Sequence, residues 1–225
     1  MKSYLLTLLL LVASILFIVY IHEPNTKLYH ITYMEKDEPV HPVLEKMLDF
    51  FHRQGSDINI LRCDDTVSEI DKLYDFIHKP SLGQNDIVLM TTADTTVMVK
   101  SHKDIRKKFK LQQTPILFSG HGKNLESTMF LGRVWALRSC FSGYTKNIDT
   151  DSNTFWRMAL LKHPELIKVD TDSHLFLYAE GINKKDIQYD RFKSDIHYLK
   201  TDTHPYFLSA DNPEYLYIVV SRWKE

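Results

Sequence analysis

Apolar and polar positions alternate along this chain in blocks whose period changes from one block to the next. Residues 28–33, LYHITY, alternate with period two and are rich in β-formers, which predicts a strand. Val43, Leu44, Met47, Leu48 and Phe51 recur at helical spacing until QGSD interrupts them, and INIL at 58–61 reads as a second strand. Ile70, Leu73, Phe76 and Ile77 mark the next helix, closed by Pro80 and Gly83. DIVLM at 86–90 and PILFS at 115–119 are short continuous apolar runs, as expected of strands buried on both faces. Between them Ser101 suits the N-cap of a helix through Lys108. A further helix carries Phe155, Trp156, Ala159 and Leu160, and LIKVD, HLFLYA, DIHYL, PYFLS and YLYIVV read as short strands.

Strand and helix alternate through the first half, the pattern of a parallel sheet covered on both faces. In such sheets the ligand sits beyond the carboxyl ends of the strands, so TTADTT at 91–96 belongs in the cleft.

The N-terminus breaks the pattern. Tyr4 to Ile21 is eighteen residues without a charge, enough at about 1.5 Å per residue to cross most of a bilayer's hydrocarbon core. Its only small pair, Ala13 and Ser14, lies inside the run, so an uncleaved signal anchor over residues 1–22 is expected rather than a cleaved signal peptide. Lys2 precedes the span and Glu23 follows it, which orients the N-terminus to the cytoplasm. A tether at 23–27 then leads to a domain over 28–225 on a luminal, extracellular or virion surface.

With 28 basic and 29 acidic residues the chain has no charge block of the kind that binds nucleic acid. KKFK at 107–110 reads as a solvated helix face. Cys63 and Cys140 form no framework or zinc spacing, and both a pair and two free thiols are compatible with them. Glycine-rich phosphate loops and a G-x-S-x-G elbow are absent, which removes the usual nucleotide-fold motifs and the serine hydrolases. SGHGK at 119–123 is a weak anion loop, with His121 and Lys123 its candidate phosphate contacts. His102 is the other histidine expected near the cleft. A nucleotide-sugar site needs carboxylates that converge on Mn²⁺ or Mg²⁺. Asp94, Asp149 and Asp151 are the candidates, and Asp149 and Asp151 also stand where they would cap the following helix.

DIVLMTTADTTVMVKSHKDIRKKFKLQQTPILFSG at 86–120 resembles the strand, acidic motif, LKKF helix and VVFSA strand of the N-terminal glycosyltransferase domain of the procollagen lysyl hydroxylases. The similarity runs on through FLGRVWALRS, DTDSNTFW, IKVDTDSHLFLYAEG and HPYFLSADNPEY, from about Lys27 to Trp223. It implies an α/β, GT-A-like Rossmann-type three-layer domain with a mostly parallel central sheet, preceded here by one N-terminal transmembrane helix. It also implies Mn²⁺ and a UDP-sugar as cofactor and donor if the site is active. The catalytic residues do not carry over. The family's two acidic ligands fall on Ala93 and Thr96, its His or Asn on Ser209, its phosphate-binding Lys on Tyr215, and its glycines on Arg133, Val134 and Trp135. The expectation is a catalytically degenerate domain that binds a protein partner, and the alternative is a transferase with a site rebuilt around Asp94, Asp149 and Asp151.

Overall fold

The computed structural model describes residues 26–63, 68–121, 124–146 and 151–220. Residues 4–21, expected to be an anchor, lie outside them, and no helix among the described residues is long and apolar enough to cross a membrane.

Eleven strands and six α-helices follow one another in the described chain. They are β1 Leu28–Glu35, α1 Pro42–His52, β2 Ile58–Cys63, α2 Glu69–Ile77, β3 Ile87–Thr92, β4 Thr96–Met98, α3 His102–Leu111, β5 Ile116–His121 and β6 Asn124–Arg133. The second half holds α4 Val134–Cys140, α5 Ser152–Lys162, β7 Ile167–Val169, β8 Phe176–Tyr178, β9 Ile187–Asp190, β10 Asp195–Tyr198, β11 Phe207–Ser209 and α6 Pro213–Val220.

The expected mostly parallel GT-A-like Rossmann-type sheet is corrected by the strand order. The central sheet runs β2-β1-β3-β6-β5-β7, and β6 is antiparallel to both its neighbours, so parallel pairs flank an antiparallel centre. The cause lies in NLESTMFLGR, which pairs directly with β5 through a short connection in place of a crossover helix. A second sheet, β4-β11-β8, and a β9-β10 hairpin complete the fold.

Both faces of the central sheet are covered. On one, Ile31, Met90, Phe118 and Phe130 pack against α2, α4 and α5 around Trp156, whose ring is fully buried. On the other, Leu89, Leu117 and Leu131 meet Leu44, Met47 and Phe51 of α1 and Ile105 and Phe109 of α3. The second sheet builds its own apolar layer from Val97, Leu177 and Leu208 with Leu216 and Val219 of α6. YLYIVV is thus helix and not strand: Leu216 and Val219, three positions apart, share its buried side. Cys140 is a buried free thiol, and the Cys63 thiol donates to Leu61 O at 3.9 Å. Burial pushes the Cys140 thiol up to about 12, so it is an inert core group.

Candidate functional site at the strand ends

β3 ends at Thr92, and the chain turns through Ala93, Asp94 and Thr95 to enter the second sheet as β4. The turn is fixed by hydroxyls. Thr92 Oγ1 is bonded to Thr95 Oγ1 and lies 3.0 Å from Thr96 Oγ1. Thr96 in turn donates to Ser209 Oγ at 3.5 Å, and both residues are fully buried. Backbone pairing supports the same contact: Ser209 is in register with Thr96 across an antiparallel pair, and Ala210 N–H donates to Thr95 O at 3.0 Å.

Ser209 is also in register with Tyr178 of β8. Paired residues of adjacent strands share a sheet face, so Thr96, Ser209 and Tyr178 form one polar row across three strands. Its outer end is acidic. Tyr178 donates its hydroxyl to Asp211 Oδ2 at 3.0 Å, and burial, that bond and the charges of Asp211, Glu126 and Glu180 all hold the phenol well above its ordinary range. Sequence reasoning missed this row, because its members come from strands far apart in the chain.

Asp94 lies exposed at the tip of the turn. Asp151 is the N-cap of α5, accepting from Thr154 N–H at 2.9 Å, and its carboxyl is held below the usual range by the Thr154 side chain first, then by the N–H groups of Thr154 and Asn153. Lys123 and Asp149 lie outside the described residues; His121 closes β5, its backbone paired with Asn124. Among the described residues no three His, Cys, Asp or Glu side chains are grouped to hold a metal ion. Tyr215 turns its hydroxyl to Ile182 O at 2.6 Å.

Two placements differ from expectation. Arg133, Val134 and Trp135 lie at the end of the central sheet opposite Thr92. Arg133 is in register with Ile87, and the N–H groups of Val134 and Trp135 donate to Asp86 O and Gln84 O, at the start of β3. Five residues of strand, at about 3.3 Å each, put them roughly 16 Å from Thr92. The antiparallel course of β6 is the reason: it carries Glu126 at the ligand end and Arg133 at the other. His102 also leaves the cleft. It lies in the layer beneath α1, stacked on Phe51 at 4.5 Å with its Nε2 3.3 Å from His30 Nδ1.

Asp170, in one of the two D-T-D triplets, has a structural task. Buried at the end of β7, it accepts backbone N–H groups from His174, Leu175 and Phe176 at 2.7–3.0 Å and so fixes the entry of β8.

No protein-family model matches the chain, and no curated protein matches it.

Proposed function

We propose that this protein is a catalytically inert relative of the glycosyltransferase domain of the lysyl hydroxylases, a binding module held at a membrane by residues 4–21. One observation carries the reading: at the end of β3 the hydroxyl groups are already spent on one another. Thr92, Thr95, Thr96 and Ser209 form a closed hydroxyl chain where a transferase needs carboxylates free to take a cation. The end of that row is acidic, at Tyr178, Asp211, Glu126 and Glu180, which repels a diphosphate in the absence of a bridging metal. Asp151, a carboxylate the alternative site would require, is occupied in capping a helix.

An interaction role is supported by the outward face of α5. Met158 and Leu161 are 62% and 78% exposed there. Beside them Tyr144, Phe155 and Cys140 line an open groove of about 480 Å³. Apolar surface of this kind on a folded domain is typical of protein contacts.

The test is turnover. The full chain, incubated with UDP-glucose or UDP-galactose and Mn²⁺, releases no UDP above the protein-free rate. Release that scales with protein and disappears with a chelator contradicts the proposal.

A further inference from the structure

The β9-β10 hairpin presents a single aromatic side chain on a rigid support. Its inner residues Ile187, Tyr189, Ile196 and Tyr198 are buried against the second sheet, so the hairpin is anchored along its length. At the tip Phe192 is 89% exposed. The four-residue turn that carries it is fixed from two sides. Asp190 Oδ1 accepts the N–H of Phe192 at 2.9 Å and of Lys193 at 3.3 Å, and Lys100 Nζ donates to Lys193 O at 3.0 Å. Ser194 completes the turn in the left-handed region at φ +45°. The ring of Phe192 therefore stands in water on an ordered turn, outside the apolar layer that the inner residues of the hairpin join.

Charge narrows what that is. Arg191 and Lys193 flank Phe192, with the Arg191 guanidinium 5.1 Å from the ring centroid. The carboxylates at the base are matched, Asp190 by Lys193 at 3.8 Å and Asp195 by Lys100 at 3.4 Å. Arg191 has no carboxylate partner among the described residues. An aromatic tip with cations beside it matches the layered chemistry of an anionic bilayer, where rings enter the acyl boundary and cations stay with phosphates. A protein partner fits less well, since a stable interface needs about 800 Å² from each side and this contact is one residue deep.

Helix α3 links the hairpin to Thr26, the first described residue. Arg106 of α3 donates to Thr26 O at 2.6 Å, while Lys108 of the same helix donates to His204 O, and His204 pairs with Asp195 of β10. One helix thus holds Thr26 through Arg106 and reaches the turn end of the hairpin through Lys108 and His204.

We propose that Phe192, with Arg191 and Lys193, docks the domain onto an anionic lipid surface and so fixes its orientation at the membrane. This rests on the reading that residues 4–21 hold the chain there, and the experiment separates the two. The full chain carrying Phe192→Trp is reconstituted into phosphatidylcholine vesicles with and without phosphatidylserine, with brominated acyl chains as quencher. The difference in emission from the wild-type chain isolates the tip. Its emission is expected to shift to the blue and to be quenched in phosphatidylserine vesicles, and to return to the hydrated, unquenched state with added salt or with Arg191→Glu and Lys193→Glu. A tip that stays hydrated and unquenched in both vesicle types overturns the proposal and leaves a protein as the contact of Phe192. Alkaline extraction of the same vesicles reports on the anchor alone. Release of a chain whose tip was quenched removes the anchor and keeps the hairpin contact; retention with an unquenched tip does the reverse.

Discussion

His102 Nε2 lies 3.3 Å from His30 Nδ1, and Thr91 Oγ1 lies 2.8 Å from the other nitrogen of His30, so two imidazoles and a hydroxyl form a chain beneath α1 that is fully buried at His30 and Thr91. Asn59 on β2 donates to His30 O, Phe51 on α1 stacks on His102, and Asp57 is the carboxylate whose charge reaches His102.

This chain predicts acid lability. Burial, with the nearby His102, holds His30 well below the ordinary histidine range, and burial pushes His102 down to about 4 against the pull of Asp57. Above about pH 6.5 both rings are neutral in folded and unfolded chain alike. As pH falls below that value the unfolded chain takes up protons that the folded chain refuses, so stability is lost on acidification and recovered on return to neutral pH. His102 alone contributes a loss of about 2–3 kcal/mol between pH 7 and pH 4. Urea unfolding across this range should show the fall, and His102→Gln should flatten it. An unchanged slope in that variant would remove His102 as its source.

Asp170 and Asp172 occupy the same D-T-D triplet and should behave oppositely. Asp170→Ala leaves three N–H groups at the start of β8 without their acceptor and costs about 3 kcal/mol or more, whereas Asp172→Ala at its exposed position stays within about 0.5 kcal/mol. Urea midpoints of the two variants measure the contrast, and equal midpoints would rule out this role for Asp170.

Trp156 packs within 6 Å, centroid to centroid, of Phe118, Phe130, Phe141 and Phe155. Its Nε1 is buried with no hydrogen-bond partner among the described residues. Trp156→Ala should therefore cost about 3–5 kcal/mol, while Trp156→Phe, which removes the orphan donor and keeps a ring, should cost clearly less. Thermal unfolding followed by circular dichroism distinguishes them.

Gly132 sits where β6 meets α4. A Cβ there would stand 2.8 Å from Leu137 Cδ2, and Leu137 is itself fully buried. Gly132→Ala should cost about 1–3 kcal/mol, and adding Leu137→Ala should bring less further loss than the sum of the single variants. Strict additivity in that double-mutant cycle would mean the two positions do not meet.

The helices and buried strands were legible because burial leaves a period in the sequence. α1, α2, α3 and α5 follow the spacing of their apolar residues, and Ser101 and Asp151 cap α3 and α5 as the residue types suggest. Strand direction left no such trace. NLESTMFLGR carries no mark of being antiparallel, and its reversal moved Arg133–Trp135 to the far end of the sheet. YLYIVV misled through its β-branched and aromatic content, since packing against the second sheet outweighed propensity. In the candidate site, the turn after β3 was placed by its position behind a buried strand. The row Thr96–Ser209–Tyr178 was not, because register between β4, β11 and β8 is set by tertiary pairing.

The central claim is that the hydroxyl chain from Thr92 to Ser209 has taken the place of a nucleotide-sugar site, and calorimetric titration of the full chain with UDP, with and without Mn²⁺, tests it most directly. The account predicts no binding heat in either condition up to millimolar UDP. Metal-dependent binding in the micromolar range, some 8 kcal/mol of affinity, would contradict it and show that carboxylates of this chain do converge on a cation.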